Sequence, residues 1–151
     1  MLRVKHLLAN KGRDVWSIAP ANSVYQSIEM MALNEVGALV VLDETNRLIG
    51  IISERDYARK VILQGKSSKN TSVAEIMTND VITIDEEMKV SDCMEVMTNR
   101  RVRHLPVLNG TELVGMISLG DLVKSIISEQ DFKIEQLERY VRGEEAGTPM
   151  S

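Results

Sequence analysis

An α/β fold of two tandem repeats, each strand–helix–strand–strand–helix and packed with pseudo-two-fold symmetry, is the architecture this sequence predicts. Three observations predict it. First, GIISERD from Gly50 returns as GMISLGD from Gly115. Second, VWSIAPANSVYQSIEMMALNEVGALVVL from Val15 aligns without a gap on VITIDEEMKVSDCMEVMTNRRVRHLPVL from Val81, so that Ile18 meets Ile84, Met31 meets Met97 and Val41 meets Val107. One residue of slack then brings Ile52, Ser53 and Asp56 over Ile117, Ser118 and Asp121, an internal duplication. Third, a chain of 151 residues buries roughly 68–70% of its unfolded surface, whereas one repeat of ~60 residues is marginal, so the halves fold against each other.

The elements follow in chain order. LRVKHLLANKG sets Leu2, Val4, Leu7 and Leu8 on one side and stops at a glycine, which predicts an N-terminal helix over 1–12. The first repeat is 13–66. VWSI opens it as a short strand ended by Pro20. Asn22 or Ser23 caps a helix to about Asn34, with Val24, Ile28, Met31 and Ala32 at helical spacing. GALVVLD is an apolar run of strand length, suited to burial on both faces. After an ETNR turn come the strand LIGIIS and the helix ERDYARKVILQG, closed by Gly65. Residues 67–78 form a polar connector in which Ser72 caps the short helix VAEIM. The second repeat, 79–128, replays the order as VITI, VSDCMEVMTN, HLPVLN, LVGMIS and LGDLVKSIIS. A last amphipathic helix over 129–143 carries Phe132, Ile134, Leu137 and Val141, and 144–151 reads as a disordered tail.

Composition narrows the function classes. A net charge of −4 argues against a nucleic-acid partner, which shows a basic face. One Trp, one Phe and three Tyr leave few platforms for stacking bases. The single Cys93 excludes an intrachain disulfide and a Cys-based zinc cluster, and His6 and His104 lack ligand-spaced partners, so no metal is predicted. No apolar run approaches the ~18 residues of a membrane span. MLRVKHLLANKG lacks a secretory signal's apolar stretch and cleavage site, so a cytoplasmic protein is expected. There is no P-loop, GxGxxG or triad spacing, so no enzyme is expected. Met30, Met31, Met77, Met88, Met94, Met97 and Met116 read as core filling, and Cys93 as a buried small hydrophobe.

The Gly-x-Ile-Ser-x-x-Asp string ending the third strand of each repeat, the HLPV strand and the element order resemble a cystathionine-β-synthase (CBS) domain pair, or Bateman module. The resemblance runs from about Val15 to Ser128. SERDYARK in the first repeat and RHLPV in the second make the chain most similar to short stand-alone bacterial CBS-pair proteins. Such a resemblance implies an adenosine-containing ligand held in the cleft between repeats, regulation of an unidentified partner protein, and a homodimer. AMP leads the expected ligands, with ATP or NAD(H) as alternatives.

The residues suit that ligand. Asp121 stands at a strand-to-helix turn, where a carboxylate is favoured by the helix dipole and its oxygens match the vicinal hydroxyls of a ribose. Ser118 hydrogen-bonds a phosphate oxygen or caps the helix. Arg100, Arg101, Arg103 and His104 crowd the approach to a strand where the first repeat has Asn34, Glu35, Gly37 and Ala38. Arg103 and His104 are therefore expected to face a phosphate, with Arg55 reaching it from the other repeat. Val81, Ile82, Thr83, Pro106 and Ile117 are expected to form the adenine slot, with Pro106 leaving one side of its strand open, and Leu105 is expected among the ligand-binding residues. The stronger site is thus expected on the second repeat. A weaker one is expected at Ser17, Ala38, Leu39, Ile52, Ser53 and Asp56. The alternatives are a nucleic-acid binder using the Arg100–His104 patch or, less favoured, an enzyme.

Overall fold

The computed structural model describes residues 2–142. Each repeat contributes a three-stranded sheet. In the first, β1 (Ser17–Ile18) lies parallel to β2 (Ala38–Leu42), which is antiparallel to β3 (Leu48–Ser53). In the second, β4 (Ile84–Asp85), β5 (His104–Asn109) and β6 (Glu112–Ser118) repeat the arrangement. Leu39, Val40 and Val41 are fully buried, as a two-sided strand requires.

Local chemistry starts and stops the helices. For α2 (Val24–Asn34), Ser23 Oγ accepts the Gln26 N–H at 3.1 Å while Gln26 Oε1 accepts the Ser23 N–H at 2.9 Å, a capping box. The helix ends at Glu35, in the left-handed region at φ 54°. Its counterpart α5 (Val90–Arg100) ends at Arg101, also at φ 54°. The duplication thus extends to backbone conformation.

The leading helices are exchanged between repeats. The N-terminal helix α1 (Val4–Lys11) buries Val4, Leu7 and Leu8 with Leu105, Val107 and Leu122 of the second repeat. The connector helix α4 (Val73–Ile76) buries Val73 and Ile76 with Leu39, Val41 and Ile52 of the first. This explains the glycine in each repeated string. A Cβ on Gly50 would meet Met77 Sδ at 2.5 Å and the Thr78 carbonyl at 3.2 Å; one on Gly115 would meet Leu8 Cδ2 at 2.6 Å. Each glycine is the contact point for the helix that leads into the opposite repeat.

Four expectations are corrected here. VWSI and VITI shrink to two-residue strands. In the first repeat the Val40 N–H donates to the Trp16 carbonyl at 3.1 Å. The aligned Pro106 has no N–H, so β4 pairs only from Ile84 opposite Val107. The helix after β3 is α-helical only as α3 (Glu54–Tyr57) and continues as a π-helical turn over Ala58–Ile62. No break separates the last two expected helices: α6 runs unbroken from Leu119 to Arg142, because EQDF offers neither glycine nor proline to stop it. The tail expected over 144–151 lies outside the described residues. Met31, Met97 and Cys93 are buried, and burial, aided by Asp92, pushes the Cys93 thiol up to about 11.

Candidate functional site

A cleft of about 410 Å³ lies where the two repeats meet, within the range of small-molecule sites. One wall is the start of α3 and its π turn. Ser53 caps that helix: its Oγ accepts the Asp56 N–H at 3.1 Å, and Asp56 Oδ2 accepts the Ser53 N–H at 3.0 Å. Asp56 Oδ1 accepts from Lys60 Nζ at 3.0 Å and, at a longer 3.4 Å, from the Thr78 hydroxyl. Arg55 and Arg59 line the same wall. The floor is the segment entering the second repeat, with Thr78, Asp80, Val81 and Ile82. The opposite wall is the left-handed end of α5 and the start of β5, with Arg101, Val102, Arg103 and His104. Arg55 Nη1 donates across the cleft to the Arg101 carbonyl at 3.5 Å.

Pro106 has a second consequence here. It cannot donate to the Ile82 carbonyl as Val40 donates to Trp16, so that acceptor lacks the ladder bond its counterpart receives. His104 is pressed against Gly37, where a Cβ would stand 3.3 Å from His104 Nε2. Burial lowers the His104 pKa, outweighing the opposite pull of Asp121, so the ring is neutral at pH 7.

The structure regroups the expected residues. Val81, Ile82, Arg103, His104 and Arg55 do converge. The carboxylate they meet is Asp56 with Ser53, not Asp121 with Ser118. Leu105, Pro106 and Ile117 are buried in the second repeat and present nothing to the cleft. Leu39 and Ile52 belong to the first core, and Ala38 is buried beside them. Thr83 is half-buried and off the cleft lining. Ser17 borders a separate hollow with Asn22 and Asp43. The cause is the exchange of leading segments, which sets the entry strand of one repeat against the motif helix of the other.

Asp121 is engaged elsewhere. Its Oδ2 accepts the Ser118 N–H at 2.8 Å and Lys11 Nζ at 2.7 Å, and Lys11 also donates to the Met116 carbonyl at 2.9 Å. Burial alone would raise the Asp121 carboxyl, but the Lys11 and Ser118 hydrogen bonds outweigh it and hold it below the usual carboxylate value.

Arg59, Lys60, Thr78 and Arg101 are among the residues that join the cleft beyond the expected set. The first two were readable: they stand one helical turn after Asp56, on the same face. Thr78 was not, because only the chain crossing brings it to Asp56.

A CBS domain family model matches residues 4–62 and 73–128. The mitochondrial CBS domain-containing protein CBSX3 of Arabidopsis thaliana is 44% identical over 126 residues; the match covers 81% of this chain and 61% of that one. A solved Burkholderia ambifaria protein with CBS domains is 46% identical, with TM-score 0.81, over 85% of this chain and 96% of the other. A CBS domain protein from Pyrobaculum aerophilum, solved in complex with AMP, is 28% identical with TM-score 0.71, over 80% and 89% of the two chains.

Proposed function

The chain belongs to the CBS domain family, and from that premise we propose that it is an adenosine-nucleotide sensor that regulates a partner protein in the cytoplasm and is not itself an enzyme. AMP is the leading ligand, with ATP or NAD(H) as alternatives; the AMP complex of the Pyrobaculum relative supports the class. The observation that carries the reading is the convergence of a motif carboxylate, the apolar pair Val81 and Ile82 and arginines from both repeats on one cleft. In this reading Asp56 takes the ribose hydroxyls in place of the long Thr78 bond. Arg55, Arg59 and Arg103 hold the phosphate. Adenine lies on Val81 and Ile82, its amino group donating to the Ile82 carbonyl. Asp121, already bonded to Lys11, anchors the weaker site. The nucleic-acid alternative is disfavoured by the net charge of −4 and by the few aromatic side chains that could stack bases.

A ligand at 100 times its dissociation constant stabilises the native state by about 2.7 kcal/mol. Each kcal/mol moves the melting midpoint roughly 2–4 °C at this size. AMP added to ligand-free protein should therefore raise the melting temperature by several degrees, with GMP and CMP doing less. A flat response to AMP, ATP and NAD(H) overturns the proposal. The chain is further read as a homodimer, from the apolar stripe of its last helix.

A further inference from the structure

From residue 127 onward α6 leaves the body. Leu122 is fully buried and Ile126 packs on the second core, but farther along Ile134, Leu137 and Val141 are 53%, 64% and 79% exposed. Helices in proteins owe most of their stability to packing an amphipathic face, and this stretch of about 16 residues leaves its apolar face exposed. The apolar positions say what covers it. Val123, Ile127, Ile134, Leu137 and Val141, with Gln130 between them, recur at alternating steps of four and three. That is a heptad seam. Phe132 is not on it: it faces the other way, toward Leu2 and Leu7 of the N-terminal segment.

The seam has a composition that selects its partner. Its a positions, Ile127, Ile134 and Val141, are all β-branched, and Leu137 stands at d. β-Branched a with Leu at d favours two parallel strands. Charge agrees. Lys133 falls at g and Glu138 at the following e, the pair that meets across a parallel dimer. In an antiparallel pair g faces g and e faces e, so these two never meet. Gln130, the one polar residue among these seam positions, falls at d, where a parallel in-register pair sets it against its own copy.

We propose that the exposed half of α6 forms a parallel two-stranded coiled coil with a second copy of this chain. It takes the homodimer reading and assigns it a surface, a direction and a register; nucleotide binding is independent of it.

The test is sedimentation of the full-length chain across tens of micromolar. The wild type should show a concentration-dependent dimer. Leu137→Lys, and separately Ile134→Lys, should be monomeric with the melting transition of the body retained, since neither residue belongs to either core. The second arm is charge reversal. Each exposed pair is weak, but a dimer holds it twice and reversal turns attraction into repulsion. Lys133→Glu or Glu138→Lys should weaken dimerisation about five- to tenfold, and the double reversal should restore it. A monomeric wild type overturns the proposal. So does a Leu137→Lys protein that stays dimeric, which leaves the homodimer reading standing on another face. A double reversal as weak as the singles overturns the parallel direction.

Discussion

Asp56 and Asp121 occupy the same position in the duplicated string and differ in what reaches them. Sequence alone made them interchangeable, and the basic cluster before His104 then drew the site to Asp121. Placing the arginines beside Asp56 required knowing that the chain crosses between repeats, a relation that neither periodicity nor local spacing encodes. The regrouped cleft changes the expected losses. A hydrogen bond to a charged group contributes roughly 1.5–3 kcal/mol, or about ten- to a hundredfold in affinity. Asp56→Ala should cost AMP and adenosine alike that much, while Asp121→Ala leaves the tighter site intact. Arg103→Ala should cost AMP tenfold or more and spare adenosine, which has no phosphate. Calorimetric titration separates the three; equal losses at Asp56 and Asp121 would refute the regrouping. Asp121 has its own signature in acid. Its carboxyl is held below the usual value, so its contribution is complete above the unfolded pKa near 3.8 and is lost as pH falls through the lower folded value. Lys11→Met removes the main counterweight to burial, so the variant's melting temperature should fall less than the wild type's between about pH 6 and about pH 3. Identical acid slopes would show that the pair is inert.

Elements were legible wherever a local signal marked them. Ser23, one of the two expected caps, starts its helix, and Gly65 ends the helix after β3 at φ 67°. Misreadings fell where tertiary contacts decide, as at the shortened β4 and the unbroken α6. Gly50 and Gly115 show the same division. Their repetition was visible, but the reason for glycine lies in helices exchanged across the molecule. Overpacking a filled contact costs about 1–3 kcal/mol, which is roughly 2–4 °C per kcal/mol in melting temperature. Gly50→Ala and Gly115→Ala should both destabilise by such amounts. Gly50→Ala should do so more, because its Cβ would press on the Thr78 backbone as well as on Met77, whereas Leu8 can swing aside at Gly115. Gly50→Ala should also weaken AMP binding, since a shift of the Thr78 backbone carries the adjoining cleft floor, Val81 and Ile82, with it. Thermal melts of the two variants, each with and without AMP, check both statements; a larger loss at Gly115 would mean that the leading helix, not the cleft segment, is the stiffer contact.

At the scale of the whole molecule, the exchange makes the two repeats one folding unit. The first core lacks Val73 and Ile76 unless the chain continues past its own repeat, and the second lacks Val4, Leu7 and Leu8 unless the chain begins before the first. A core of ~60 residues is marginal even when complete, and losing two or three buried aliphatic side chains of about 1.5–3 kcal/mol each exceeds that margin. Cutting the chain in the polar stretch between Gly65 and Ser72 should therefore give two fragments that do not fold separately. The N-terminal fragment carries α1 but not its seat; the C-terminal fragment carries α4 but not its own. Mixed in equal amounts, they regain both leading helices and should recover a cooperative melting transition and the response to AMP. Circular dichroism of each fragment alone and of the mixture decides the matter. A sharp melt from either fragment by itself would mean that a repeat stands without its partner's helix, and the cleft between them would then be a docking surface between two domains and not part of a single fold.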